Sequence, residues 1–171
     1  TATHDITLTG VMPDTCNIPS APTAASSTNM SLTAATTAAS TVNVAMELCN
    51  REDLTVYVTG GYLRGGWFSL VGARAASGVR EVFLDKVFLG VNAIDAERGL
   101  TCLHPEAAAI NRALVGQARE RIVVADRSKL GRVVRCLICP ASEVHVLITD
   151  RDASDEEIRP FRDRGIEVRR A

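Results

Sequence analysis

The run of residues 82–101, VFLDKVFLGVNAIDAERGLT, constrains the fold more than any other part of the chain. Within it, residues 86–91 set Val87, Phe88 and Leu89 side by side between the charged Asp85-Lys86 pair and the breaker Gly90, the pattern of a short strand covered on both faces. Asp85 stands at its start. Asn92, Asp95 and Glu97 follow its C-terminal end, in a segment that Gly90 and Gly99 let turn back on itself. Ligands bind beyond the carboxyl ends of strands in open α/β sheets, so these polar groups mark a candidate site. Pro105 then opens a helix where its missing N–H costs nothing, with Glu106 in the first turn, favoured by the helix dipole.

The rest of the chain supplies the partners of that strand. Residues 5–9 alternate as a strand and stop at Gly10, whereas residues 20–41 are almost wholly alanine, serine and threonine and offer so little apolar area that they read as a flexible linker. Residues 42–49 place Val42, Ala45, Met46 and Cys49 on one helical stripe. Residues 54–59 form a β-rich strand that ends in Gly60-Gly61, where backbone N–H groups can come close to a phosphate. Residues 69–82 read as a helix interrupted near Gly78. A helix from Pro105 to about Glu120 turns Ala107, Ile110, Leu114 and Ala118 inward. Further strands are expected at residues 122–125, 133–140, 144–149 and 166–168, and Lys129 sits in the loop after the first of these. Ser154 and Glu157 form a capping box, and Gly165 closes the helix they begin. Strand and helix alternating in this way imply a mostly parallel, doubly wound, Rossmann-like α/β sheet with right-handed crossovers.

Composition excludes several function classes. With 171 residues the chain has the size of one domain, and 19 basic against 20 acidic residues give a net charge of −1, no footprint for nucleic acid or an anionic membrane. No run approaches the roughly 20 apolar residues of a membrane span, and no signal-peptide pattern is present, so a cytoplasmic protein is expected. Five cysteines, an odd number at irregular spacing, argue against a disulfide framework. Cys136 and Cys139 are three apart on an expected strand, facing opposite ways, and so read as buried apolar residues. His4, His104 and His145 show no metal-ligand spacing, and neither a metal nor a cofactor is expected.

Several motifs, taken in order, resemble a known family: Thr59-Gly60-Gly61-Tyr62-Leu63-Arg64, Ser69-Leu70-Val71-Gly72, Asp85-Lys86-Val87-Phe88-Leu89-Gly90, Ile94-Asp95 with Gly99-Leu100-Thr101, Glu106, Ala125-Asp126-Arg127-Ser128-Lys129-Leu130-Gly131 and Ile148-Thr149-Asp150. Together they are similar to the C-terminal sensor domain of DeoR-type bacterial transcriptional repressors, closest to the branch that controls amino-sugar and sugar-alcohol genes. The resemblance implies a fold like that of ribose-5-phosphate isomerase and glucosamine-6-phosphate deaminase, and a phosphorylated sugar as effector. It implies an effector site of Gly60, Gly61, Asp85, Asp95, Glu106 and Lys129, with the lysine on phosphate and the acids on sugar hydroxyls. Thr9-Gly10-Val11-Met12-Pro13-Asp14 stands where the family has a Gly-Thr-Thr loop, and Ala39-Ser40 where it has Thr-Asn. Operator DNA would be bound through a winged helix-turn-helix that is not among these residues. A symmetric homo-oligomer is expected, associating through apolar surface of the C-terminal strands. The competing expectation is an isomerase or deaminase with Glu106 or Asp85 as general base and Lys129 holding the phosphate.

Overall fold

The computed structural model describes residues 6–8, 36–49, 52, 55–64 and 68–171. In chain order the elements are β1 (Ile6–Leu8), β2 (Thr36–Ala39), α1 (Val42–Leu48), β3 (Thr55–Val58), β4 (Tyr62–Leu63), β5 (Leu70–Val71), α2 (Ala73–Arg80), β6 (Leu84–Gly90), β7 (Ala93–Asp95), β8 (Gly99–Cys102), α3 (Pro105–Gln117), β9 (Ala118–Val124), β10 (Cys136–Cys139), β11 (Val146–Thr149), α4 (Asp155–Arg162) and β12 (Glu167–Arg170).

β6 is the central strand of a seven-stranded sheet of order β12-β11-β9-β6-β1-β2-β3. Each pairing in it is parallel. Val87 and Leu89 are fully buried, as their place in an uninterrupted apolar run requires. From β1 the chain winds outward through β2 and β3, then returns to place β6 on the other side of β1 and winds the opposite way. The order therefore reverses between β1 and β6, the place where open α/β sheets hold ligands. A second, three-stranded antiparallel sheet, β10-β8-β7, grows from the end of β6 and was not evident from the strand pattern. Its small size explains why: β7 and β8 are an apolar hairpin of three and four residues that reads as one loop.

Several expectations need correction. The helix begun by Pro105 ends at Gln117, and Ala118 opens β9 opposite Leu84, because pairing with β6 claims residues whose spacing would also suit a helix. Within residues 69–82, Leu70 and Val71 form a strand against β4 before α2 begins, and Gly78 lies inside α2, where a Cβ would meet the Thr59 carbonyl oxygen at 3.0 Å. The stripe on α1 is not inward, since α1 has no buried residue and Met46 is 63 % exposed. Asp85 lies inside β6 and not before it. The linker reading fails for residues 36–41: small side chains suit a strand pressed between β1 and β3, and Ala39, Ser40 and Thr41 are buried. The remainder of residues 20–41 up to residue 35, like residues 9–14, lies outside the described residues. The capping box stands as read, with Ser154 Oγ accepting from Glu157 N–H at 3.2 Å and a Glu157 oxygen accepting from Ser154 N–H at 2.7 Å.

Gly99 shows how closely β8 and the end of β10 meet within the smaller sheet. Its φ is +85°, and a Cβ there would strike the Cys139 carbonyl oxygen and lie 2.9 Å from Pro140 Cα. Gly99→Ala is expected to cost about 2–4 kcal/mol, from left-handed strain plus overpacking. Gly116→Ala, in the last turn of α3 with open space around it, is expected to be neutral or stabilising by up to about 1 kcal/mol. Urea unfolding midpoints of the two variants check the contrast.

Candidate functional site

Parallel pairing decides which predicted residues can meet. β6 delivers Gly90, Val91 and Asn92 to the carboxyl edge of the sheet, while Asp85 is left near the opposite edge, five residues or about 16 Å away. There Asp85 lies 3.8 Å from the exposed Arg119 guanidinium, beside a Lys86–Glu120 pair at 2.6 Å. Asp85 is therefore separated from the other predicted site residues by the length of its own strand. Asp95 is also committed: its Oδ1 accepts from Glu97 N–H at 2.9 Å and Arg98 N–H at 2.8 Å, closing the β7–β8 turn. Glu106, in the first turn of α3, meets Arg64 at 3.5 Å. Gly60 and Gly61 follow β3, both with positive φ. A Cβ on Gly61 would strike the Val71 carbonyl oxygen and lie 2.9 Å from Ala75 Cβ, so this glycine lets the turn close against β5 and α2.

Two cavities open at the carboxyl edge and share Asn92. One, lined by Ser40, Thr41, Ser69, Gly90 and Asn111 as well as Asn92, is a slot with only about 20 Å³ of free room, one or two waters. The other is a cleft of about 360 Å³, within the range of roughly 300–1,000 Å³ typical of small-molecule sites. Its polar lining is Asn92, Ser128, Lys129 and Arg132, with Ala93, Leu103, Val133 and Val134 as apolar wall. Two cationic side chains in one lining suit an anion.

The walls are tied together by backbone chemistry. Asn92, 9 % exposed, accepts from Leu103 N–H through Oδ1 at 3.2 Å, which joins the end of β6 to the entry of α3. Gly131 N–H donates to the Ile94 carbonyl at 2.9 Å, and Val134 N–H to Thr101 Oγ1 at 3.0 Å, so residues 128–134 are stitched along β7 and β8. Lys129 lies in a 3-10 turn and is 8 % exposed, where the loop setting suggested a solvated side chain. Lysine is rarely so buried. Asp126 begins that turn. Burial pushes its carboxyl up, but hydrogen bonds from the Ser128 hydroxyl and backbone N–H, with the Lys129 charge, outweigh this and hold it below the ordinary carboxylate value. Near the cleft mouth, burial lowers His104, and the Arg64 and Arg135 charges lower it further against the opposing pull of Glu106. Cations thus gather around the entry of α3.

Of the residues that line these cavities, sequence reasoning named Lys129, Asn92 and Ser40 but not Arg132, Thr41 or Asn111. Asn111 is half-buried in the slot wall. Its neighbour Ile110 is inward, and adjacency on a helix edge was the available signal. Arg132 follows a glycine in a segment with no periodicity, and nothing local announced it.

A family model described as "DeoR C terminal sensor domain" matches residues 24–151. The chain is 36 % identical over 125 residues to a Haloferax volcanii protein named HTH-type transcriptional regulator GlpR, covering 73 % of this chain and 49 % of that protein. It is 33 % identical over 104 residues to the HTH-type transcriptional repressor GlcR of Bacillus subtilis, covering 61 % of this chain and 40 % of that protein. The chain spans about half the length, or less, of these curated relatives. No helix among the described residues is long and apolar enough to cross a membrane.

Because the Asp126 carboxyl is held low, it stabilises the fold above its unfolded value of 3.8, and that contribution is lost as pH falls through the folded value. Asp126→Asn is expected to lower Tm at pH 7 and to converge with the wild type toward pH 3, read by thermal melts across that interval.

Proposed function

Because the chain belongs to the DeoR C-terminal sensor domain family, we propose that it binds a phosphorylated sugar, and that occupancy changes how the whole regulator holds operator DNA. The observation that carries this reading is the cleft at the carboxyl edge, whose lining brings together Lys129, Arg132 and Ser128. Phosphate goes to these two cations and to Ser128. The sugar hydroxyls go to Asn92 and toward the slot lined by Ser40, Thr41 and Asn111, whose neutral oxygens and amides bond a polyol without repelling phosphate. Glu106 pairs with Arg64 at the start of α3. Gly60 and Gly61 shape the wall behind Val71, and Asp95 holds the hairpin. Asp85 takes no part, being at the far edge.

The enzyme reading is the weaker one. It asked Asp85 and Glu106 to be alternative bases in one site, and they lie at opposite edges of the sheet. The relatives are named regulators and repressors. Their names carry "HTH-type", which supports DNA binding through a helix-turn-helix module in the whole protein.

We further propose self-association, but not through the C-terminal strand. β12 exposes Glu167, Arg169 and Arg170, and charge on an edge strand opposes pairing. Among the described residues, large exposed apolar side chains include a group at Tyr57, Val58, Tyr62, Leu63 and Phe68, besides Met46, Phe83, Val124, Val133 and Leu137. Light scattering at high micromolar concentration is expected to show a dimer or larger species. A strict monomer would count against a sensor that reports to paired half-sites.

Calorimetry against a panel of hexose and polyol phosphates tests the ligand. Lys129→Met, which keeps the buried aliphatic stem and removes the charge, is expected to cost about 1.5–3 kcal/mol of affinity for the sugar phosphate that binds, the scale of a charge-assisted hydrogen bond. Equal affinity in wild type and variant would sink the assignment.

A further inference from the structure

Cys102 and Cys136 are directly opposite one another across the antiparallel β8–β10 pair. Opposite residues in such a pair have Cα atoms roughly 4.5–5.5 Å apart with side chains on the same face, inside the range of about 4.4–6.8 Å that a disulfide spans. Both sulfurs reach the same short stretch of backbone. Cys102 Sγ donates to the His104 carbonyl at 3.4 Å, and Cys136 Sγ lies 3.9 Å from the carbonyl of Leu103, the residue between Cys102 and His104. Cys139 does not share this arrangement: the strand shifts register between Leu137 and Cys139, and Cys139 is paired with Leu100 and 4 % exposed.

We propose that Cys102 and Cys136 form a thiol-oxidation site, in which a hydroperoxide converts the facing pair into a cross-strand disulfide. The two sulfurs divide the work by access. Cys136 is half-buried and follows the exposed Arg135, whereas Cys102 is buried, and burial raises its thiol. The Cys136 thiolate attacks the outer peroxide oxygen, the O–O bond breaks, and the alcohol or water leaves with the proton, giving a sulfenic acid. Cys102 sulfur then attacks that sulfur. The hydroxyl departs with the Cys102 proton as water, and the S–S bond forms. Two electrons pass from the thiol pair to the peroxide, and a dithiol reductant reverses the step. Burial pushes Cys139 up to about 12, so it has no part in the first attack.

The test is peroxide treatment of the folded wild type, followed by alkylation and peptide mapping under non-reducing conditions. The expected result is a linked Cys102–Cys136 pair, lost in Cys136→Ser and in Cys102→Ser and kept in Cys139→Ala. Circular dichroism verifies that each variant folds, and the half-buried Cys136→Ser is the decisive one if Cys102→Ser does not. A linkage through Cys139, Cys49 or Cys16 in place of this pair, a sulfenic acid that never resolves, or an unchanged thiol count would each overturn the proposal.

Discussion

Parallel hydrogen bonding of β6 to β1 on one side and β9 on the other is the constraint from which the rest follows. A parallel ladder gives every strand the same direction, so all loops that leave carboxyl ends share one rim, and all that leave amino ends share the other. Asn92, residues 126–134 and the entry of α3 owe their meeting to that rule. So does the exclusion of Asp85. The buried faces of Val87 and Leu89 hold the register, because a slip by one residue would turn both toward the wrong layer.

The charge of the cleft rests on a second constraint, the cost of a buried ammonium. Lys129 sits where lysine is seldom found, and the turn around it is built to hold it: its backbone N–H donates to the Asp126 carbonyl at 2.9 Å, and the Asp126 carboxylate caps the same turn through Ser128 N–H at 2.9 Å. Asp126 thus supplies compensating charge beside Lys129. An anion entering the cleft meets a Lys129 ammonium already largely desolvated, a setting in which charge-assisted hydrogen bonds are strong.

Much of the fold was legible because its signals are local. The capping box at Ser154 and Glu157, Pro105 at a helix start and the apolar run at Val87–Leu89 each specify their element without help from afar. The three-stranded sheet was not legible, since β7 and β8 are too short for a period to show and the pairing of β8 with β10 closes over more than thirty residues of sequence. Residues 36–39 were misread for a related reason: Thr36, Thr37, Ala38 and Ala39 bring little apolar area of their own and become a strand because two neighbours pair with it. In the site, Lys129 was found by its place after a strand. Its burial was not foreseeable, because the stitching of residues 131 and 134 to β7 and β8 is long-range. The acids Asp85, Asp95 and Glu106 were grouped because they are near in sequence to one strand, and proximity in sequence says nothing about which end of that strand each will occupy.

The absence of a side chain at Gly99 has a mechanical consequence. With the Cys139 carbonyl and Pro140 seated against it, the hairpin and β10 have no slack between them. A push on either is passed to the other undiminished. Because β7 also carries the Ile94 carbonyl that anchors Gly131, the linkage runs from β10 to the cleft wall as a lever whose short arm ends at the cleft.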